Sequence, residues 1–216
     1  MIRLKIHEEI ISLAKTGETL KRISRTGWSL AGVHCQRPES VGEHSYGAVL
    51  VSLLVSKVLV NRGESVNQNR VALMATLHDL PESLTSDIPR AAAEVGGVEL
   101  NKNKSDSERK AIDSISEKNA FFGTLITNLW NDFSESKSIE ARIVQGSDII
   151  DMLVHALSLE TSGVTPSILD QFFYNSYESV RSLGLDVFED VFWELYEEHV
   201  ENANRLGVSI RFIERS

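Results

Sequence analysis

The chain has 216 residues, 42% of them hydrophobic and 25% charged, which suits one globular domain with a sizeable core. Its formal net charge of −9 argues against a general nucleic-acid binder, because phosphate contacts need clustered lysine and arginine. The single cysteine, Cys35, excludes an internal disulfide and favours a reducing, cytoplasmic location. We expect no membrane association, because no apolar run reaches the roughly 18 residues that a spanning helix needs.

The first predicted helices lie on either side of a loop. Apolar residues at helical spacing predict a helix within residues 3–24, and glycine and proline predict an irregular loop over 25–39. Ser40 and Glu43 form the Ser-x-x-Glu pattern of a capping box, which predicts a helix from there to about Asn61. That helix is apolar nearly all round, so we expect it to be central and buried.

The second half of the chain is also predicted to be helical. A buried helix over 68–79 should end before Pro81, since the residue before a proline disfavours the helical conformation. After a break at Gly96-Gly97, a second capping box at Ser105 and Glu108 predicts a helix over about 105–130. Three more helices are predicted at about 137–161, 166–182 and 187–206.

These elements make an all-α fold. Thr165-Pro166 supplies an N-cap followed by proline at the first helical position. The apolar stretch at 208–213 is too short and isolated to build a sheet. We expect a single domain over residues 1–216, with a core at about 20–160 on which the helices of 166–206 pack.

Four polar residues lie within or at the ends of apolar helices. His44 and His78 belong to the two most apolar helices, Asp79 follows His78, and Asp148 lies in another apolar segment. Burying such groups unpaired costs several kcal/mol. Separate hydrogen bonds in the core would satisfy them, and so would one shared divalent cation. Mixed nitrogen and oxygen ligands suit Mn, Fe, Co, Ni or Zn.

Longer stretches around these residues carry a family resemblance. RTGW at 25–28, RPESVGEHS at 37–45, HDLPESLTSDIP at 78–89 and the helix of Asp148 resemble the HD-domain metal-dependent phosphohydrolases, in particular their 5′-deoxynucleotidase branch. The resemblance implies an all-α HD-domain helical bundle with a buried metal site, usually as a homodimer. It also implies hydrolysis of deoxynucleoside 5′-monophosphates with a divalent metal, commonly cobalt or manganese.

The resemblance assigns roles to individual residues. Its metal ligands match His44, His78, Asp79 and Asp148. The residue that activates the attacking water matches Glu82.

The resemblance also implies substrate contacts. Asp87 matches a residue that contacts the sugar, and Arg25 and Trp28 lie in the segment that discriminates substrates. This loop departs from the family pattern, because Gly27 stands directly before Trp28 where some members have arginine, and because the loop is longer. Arg25 and Arg37 are the first candidates for binding phosphate, since a guanidinium grips phosphate oxygens in bidentate fashion. Lys102 and Lys104 are weaker candidates.

The remaining histidines have other interpretations. His155, on the helix face of Asp148 with Asp151 between them, is either a core histidine or a residue behind a metal ligand. His7, His34 and His199 are expected at the surface or in loops.

Two alternative functions stay open. The chain could hydrolyse another phosphoester, such as a cyclic nucleotide or a guanosine polyphosphate, or it could be a non-catalytic, oligomeric nucleotide sensor. Glu82 and Asp87 argue against the sensor, because binding alone needs no water-activating carboxylate.

Overall fold

The fold is a bundle of α-helices. A computed structural model describes residues 5–89 and 97–215, and within these ranges it contains ten helices and no strand beyond one isolated β-bridge between Ser24 and Ser40. The all-α prediction is therefore confirmed. The helices are α1 Ile6–Leu20, α2 Thr26–Leu30, α3 Val41–Asn61, α4 Gln68–Leu77, α5 Glu82–Thr85, α6 Gly97–Lys118, α7 Ala120–Glu135, α8 Ile139–Thr161, α9 Pro166–Ser182 and α10 Asp186–Leu206.

Three helices make the centre of the bundle. The long helices α3 and α8 pack against each other, and α4 packs against both. The helices α9 and α10 cover the other side of α8, while α6 and α7 form a hairpin beside α4. The main hydrophobic core extends from Trp28 to Ile213, so that both halves of the chain contribute to it.

The start of α3 is fixed as its sequence predicts. The Ser40 hydroxyl accepts a hydrogen bond of 3.1 Å from the Glu43 amide, and the Glu43 carboxylate accepts one of 2.9 Å from the Ser40 amide. This capping box satisfies two amides that the helix itself leaves free. It also sets the direction in which the first turn of α3 enters the core.

Helix α3 is apolar over most of its length. Its 21 residues are long and apolar enough, by length and composition alone, to cross a membrane, and 33% of its most apolar stretch is buried. The expectation concerned an unbroken apolar run, which α3 does not contain because Glu43, His44 and Lys57 interrupt it. The buried face of α3 packs on α8 and α4, and a single helix of this kind is weak evidence for a membrane span.

The region after α5 differs from its prediction. Helix α6 already begins at Gly97, so Ser105 lies inside it and the predicted capping box there is wrong. Gly96 lies outside the described residues. The predicted helix over 105–130 is two helices that meet at Asn119, where φ is −118°. At this corner a Cβ on Gly123 would lie 2.6 Å from the carbonyl oxygen of Ser116, so the close approach requires glycine.

Two smaller boundaries also differ. The predicted loop at 25–39 contains the short helix α2, and α4 ends at Leu77 rather than at 79. Helix α9 begins with Pro166 as predicted.

A polar cluster is buried between α8 and α10, and it contradicts the surface position expected for His199. His199 is fully buried, with Nδ1 2.5 Å from Glu160 Oε1. Asn202 donates a hydrogen bond of 2.7 Å to Glu160 Oε2, and the Phe173 ring stacks on His199 at 4.2 Å between centroids. His199 is tolerated in the core because Glu160 supplies a partner from another helix.

Replacement of Glu160 by alanine should destabilise the fold. The substitution removes the partner of two buried donors, on His199 and Asn202, and we expect it to lower the free energy of unfolding by about 2–4 kcal/mol in urea denaturation. Glu178→Ala, whose side chain is 79% exposed, is the control and should change it by less than about 0.5 kcal/mol. Equal effects would show that the buried contacts contribute nothing.

Candidate metal centre

Two histidines enter the core from different helices with the same arrangement. His44 lies in the first turn of α3 and is fully buried, and His78 lies at the C-cap of α4 and is 4% exposed. His78 Nδ1 donates a hydrogen bond of 2.8 Å to the Ala75 carbonyl, and His44 Nδ1 lies 2.7 Å from Asp151 Oδ2. Each Nε2 atom is thus left for the space between the rings, whose centroids are 5.8 Å apart.

Two carboxylates reach the same space. Asp79 Oδ2 lies 3.2 Å from His78 Nε2 and 3.7 Å from His44 Nε2. Asp148 Oδ1, from α8, lies 2.8 Å from His44 Nε2, with 37% of its side chain exposed. The four residues that the sequence suggests as metal ligands are therefore brought together, although they come from three distant parts of the chain.

The cluster fits a divalent cation. His44 Nε2, His78 Nε2 and Asp79 Oδ2 are buried without a hydrogen-bond partner, which normally carries a large penalty. Asp148 is close to His44 Nε2, but the pair does not have the alignment of a hydrogen bond. Ligand atoms of His44, His78 and Asp79 lie within 4.8 Å of one another. Two imidazole nitrogens with carboxylate oxygens suit a first-row transition metal.

The carboxylates also raise the pKa of both histidines. Burial and the Arg25 charge lower the pKa of His44, but Asp148 and Asp151 outweigh both and raise it to about 10. Burial likewise lowers the pKa of His78, and Asp79 more than offsets it, so that the net shift is upward.

Glu82 is the acidic residue nearest to this centre along the chain. It is the first residue of α5 and 7% exposed, and its Oε2 atom is buried without a partner. Burial, together with the charges of Asp79 and Asp87, raises its pKa to about 9. The metal-free protein therefore keeps Glu82 protonated at neutral pH.

Asp87 ties this region to the loop that precedes α3. Its Oδ2 accepts hydrogen bonds of 2.5 Å from the Thr26 amide and 2.8 Å from the Thr26 hydroxyl. The preceding Ser86 has a φ of 63°, an uncommon value for a residue with a side chain. The turn at Ser86 thus directs Asp87 toward α2.

Arg25 is the cation that faces the acidic cluster. It is half-buried, and its amide donates to the Glu39 carbonyl at 2.8 Å. Burial lowers the pKa of the guanidinium, while Asp148, Asp79 and the other acids around it raise the pKa above its ordinary value. A permanent positive charge thus stands beside the candidate ligands.

The other two predicted substrate residues lie elsewhere. Trp28 is 3% exposed, donates to Glu39 Oε2 at 2.8 Å, and packs against Phe172 and His155. The Arg37 side chain is 85% exposed and pairs with Glu43 at 2.5 Å. The structure therefore brings Arg25, but not Arg37, to the acidic cluster.

Three acidic residues near the site were not predicted to belong to it. Asp151 contacts His44, and Glu39 lies between Trp28 and His155. Glu108, which the sequence suggested as a capping residue, lies near Lys104 on α6, and burial and Asp79 raise its pKa. Only Asp151 could have been found from the sequence, because it lies one helical turn from Asp148 and therefore on the same face of the helix.

Lys104 connects α6 with the segment that follows α5. Its ammonium group donates a hydrogen bond of 2.7 Å to the Ile88 carbonyl and lies 3.7 Å from Glu108. Helix α6 is thereby attached to the segment that carries Asp87.

Known proteins share this architecture. The family described as HD domain matches residues 17–183 of the chain. The 5′-deoxynucleotidase HDDC2 of Danio rerio is 28% identical over 176 residues, which are 78% of each chain. Its Homo sapiens counterpart is 27% identical over 154 residues, which are 71% of this chain and 70% of that protein. A 5′-deoxynucleotidase of Saccharomyces cerevisiae is 27% identical over 165 residues, or 76% of this chain and 66% of that protein.

Solved structures are similar as well. A protein of Pyrococcus horikoshii has a TM-score of 0.73 and 30% identity, with 87% of this chain and 99% of that one covered. An HD-domain phosphohydrolase of Listeria innocua has a TM-score of 0.67 over 91% of this chain and 99% of that one, and at 20% identity it supports the fold alone.

We expect metal binding to displace protons. At pH 7 His44, with its pKa of about 10, is protonated in the metal-free protein, whereas a metal ligand must be deprotonated. The apparent affinity should therefore rise about tenfold per pH unit for each displaced proton. Competition with a chelator between pH 6 and 8 measures this slope, and a slope of zero would contradict the assignment.

The stability of the metal-free protein should change in the opposite direction. The raised pKa of His44 stabilises the fold fully below the ordinary value of 6.5, and this contribution is lost as the pH rises toward about 10. The raised pKa of Glu82 costs stability increasingly above the ordinary value of 4.5. Calorimetry of stripped protein should show a Tm that falls between pH 6.5 and 9.

Proposed function

The chain belongs to the HD domain family, and on that basis we propose that it hydrolyses nucleoside 5′-monophosphates, deoxynucleotides in particular, to nucleoside and phosphate. The observation that carries this is the convergence of the unpaired atoms of His44, His78 and Asp79 on one space beside Arg25. The substrate class is supported by relatives that are named 5′-deoxynucleotidases.

The chemistry follows from the charges of the substrate. A phosphate monoester resists attack because its negative charge repels nucleophiles. A bound divalent cation would neutralise a phosphoryl oxygen and acidify a coordinated water molecule. His44 and His78, as neutral imidazoles, and Asp79 and Asp148, as carboxylates, are the residues that would hold it; cobalt or manganese is our first choice, before iron, nickel or zinc.

Glu82 is proposed as the base. Repulsion from Asp79 helps to keep its pKa high in the metal-free protein. A cation that neutralised the charge of Asp79 would let Glu82 ionise more readily, and the role proposed for its Oε2 is to accept a proton from the attacking water. This role needs no residue beyond those already gathered at the site.

Arg25 and Asp87 are proposed to bind the substrate. The guanidinium of Arg25 is placed among carboxylates, where an incoming phosphate would share its charge. The Thr26 amide and hydroxyl both donate to Oδ2 of Asp87, and its other carboxylate oxygen is proposed to accept from a sugar hydroxyl. Trp28 would support the loop from below, because its indole is already packed and hydrogen-bonded.

The wider properties are inferred in the same way. We infer a single domain, because the main hydrophobic core is shared by both halves. From the net charge and the single cysteine we also infer a soluble, cytoplasmic protein that binds no nucleic acid.

We also propose a homodimer. Tyr46, Leu50 and Leu54 leave 73%, 47% and 60% of their areas exposed on one face of α3. Light scattering tests the dimer directly, and a monomer mass at micromolar concentration would contradict it.

The activity is tested with stripped protein that is refilled with single divalent ions. We expect phosphate release from nucleoside 5′-monophosphates, and none from cyclic nucleotides or guanosine polyphosphates. Glu82→Gln should lower kcat about 10²–10⁴-fold while bound metal is retained, because it removes only the proton acceptor. A double variant with His78→Ala and Asp79→Ala should lose both metal and activity.

Two results would contradict the proposal. If no monophosphate is hydrolysed with any ion, the chain is a nucleotide sensor or acts on another phosphoester, and the wider panel separates these. If Glu82→Gln loses the metal, Glu82 is a ligand rather than the base.

The two candidate arginines should differ. Arg25→Ala should reduce kcat/KM about 10²–10³-fold for a deoxynucleoside monophosphate, because it removes a charged donor from the phosphate. Arg37→Ala is the matched control, and we expect a change of less than about threefold, as for other exposed ion pairs. Arg25→Lys should recover only part of the loss, because it keeps the charge without the planar fork. Equal losses for Arg25→Ala and Arg37→Ala would place the phosphate elsewhere.

A further inference from the structure

The second nitrogen of His44 has a partner of its own. Asp148 and Asp151 are one turn apart on α8, and they contact opposite sides of the imidazole, Asp148 at Nε2 and Asp151 at Nδ1. The Asp151 contact is 2.7 Å long and joins residues 107 positions apart. The ring of His44 is thus held between two carboxylates of one helix.

A glycine makes room for this contact. Gly47 lies on α3 three residues after His44, and a Cβ built there would come within 2.6 Å of the carboxyl carbon of Asp151 and closer still to Oδ1. Glycine inside a helix costs about 0.5–1 kcal/mol relative to alanine. Any other residue at position 47 would push Asp151 away from His44, so the contact requires glycine there.

The space around Asp151 holds a second carboxylate. Oxygens of Glu39 and Asp151 and a nitrogen of His44 lie within 4.8 Å of one another. Glu39 in turn accepts from Trp28 Nε1, and His155 Nδ1 lies 3.8 Å from Glu39. A chain of polar contacts therefore connects the loop before α3 with the back of the His44 ring.

We propose that Asp151 is a positioning residue, which fixes His44 with its proton on Nδ1 and its Nε2 lone pair toward the metal, and that Gly47 is required for this contact. A carboxylate accepts hydrogen bonds only, so the nitrogen that faces it carries the proton. A neutral imidazole has one such proton, and its other nitrogen is left as a ligand. The inference rests on the metal role proposed for His44 and adds the residues that orient it.

The two histidines differ in what orients them. His78 donates to a backbone carbonyl, which no substitution removes, whereas His44 depends on a side chain. The orientation of His44 is therefore open to a mutational test.

The experiment measures the dissociation constant for cobalt or manganese by competition with a chelator, with no substrate present. Asp151→Ala should weaken metal binding about 10–100-fold, and Asp151→Asn should weaken it less because its amide oxygen can still accept from Nδ1. Gly47→Ala should act in the same direction. The double variant with Gly47→Ala and Asp151→Ala should bind no more weakly than Asp151→Ala alone, because the displaced carboxylate is already gone.

Two controls separate orientation from folding. Gly17→Ala makes the same change inside α1, where no atom lies within 4 Å of the new Cβ, and should leave the affinity unchanged. The Tm of each metal-free variant reports its fold. If Asp151→Ala does not fold, Asp151→Asn and Gly47→Ala carry the same test.

Three results would overturn the inference. An unchanged affinity in the folded Asp151 variants would show that the contact orients nothing. Loss of all metal, as expected for Asp148→Ala, would make Asp151 a ligand. Additive losses of metal affinity in the double variant would show that Gly47 does not act through Asp151. Failure of the proposed function appears separately, as intact metal binding without hydrolysis of any monophosphate.

Discussion

Two imidazoles are buried among carboxylates where α3, α4 and α8 meet. His44, His78 and Asp79 carry polar atoms into the core without hydrogen-bond partners, and such atoms are tolerated only where something else compensates them. The helices that supply the ligands, α3, α4 and α8, are also the helices that form the centre of the bundle. Core packing and ligand geometry therefore depend on the same helix positions, and a shift of any of these helices would change both.

The local features of the fold were predictable from the sequence, and the features that depend on distant partners were not. Ser40 and Glu43 need only each other, so their pattern was sufficient. The same pattern at Ser105 failed because residues from Gly97 onward already form a helix. His199 looked like a surface residue because its partner, Glu160, lies 39 positions away and becomes a neighbour only when α8 and α10 pack.

In the candidate site, too, local features were predictable and features that depend on distant partners were not. Positions 78 and 79 were informative because a polar pair at the end of an apolar helix is uncommon, and the structure places them near His44, which Asp148 also contacts. The difference between Arg25 and Arg37 was not predictable, because it depends on the path of the loop. That path is fixed by the contact between Thr26 and Asp87, 61 residues apart, and by the burial of Trp28.

The exposed Cys35 lies on this same loop, between the buried Trp28 and the start of α3. Since the chain has no other cysteine, a thiol-reactive fluorophore or spin label would attach at one defined position without prior removal of competing thiols. The probe would sit on the segment that connects Arg25 to the helix of His44. Movements of that segment thus become observable in the native sequence.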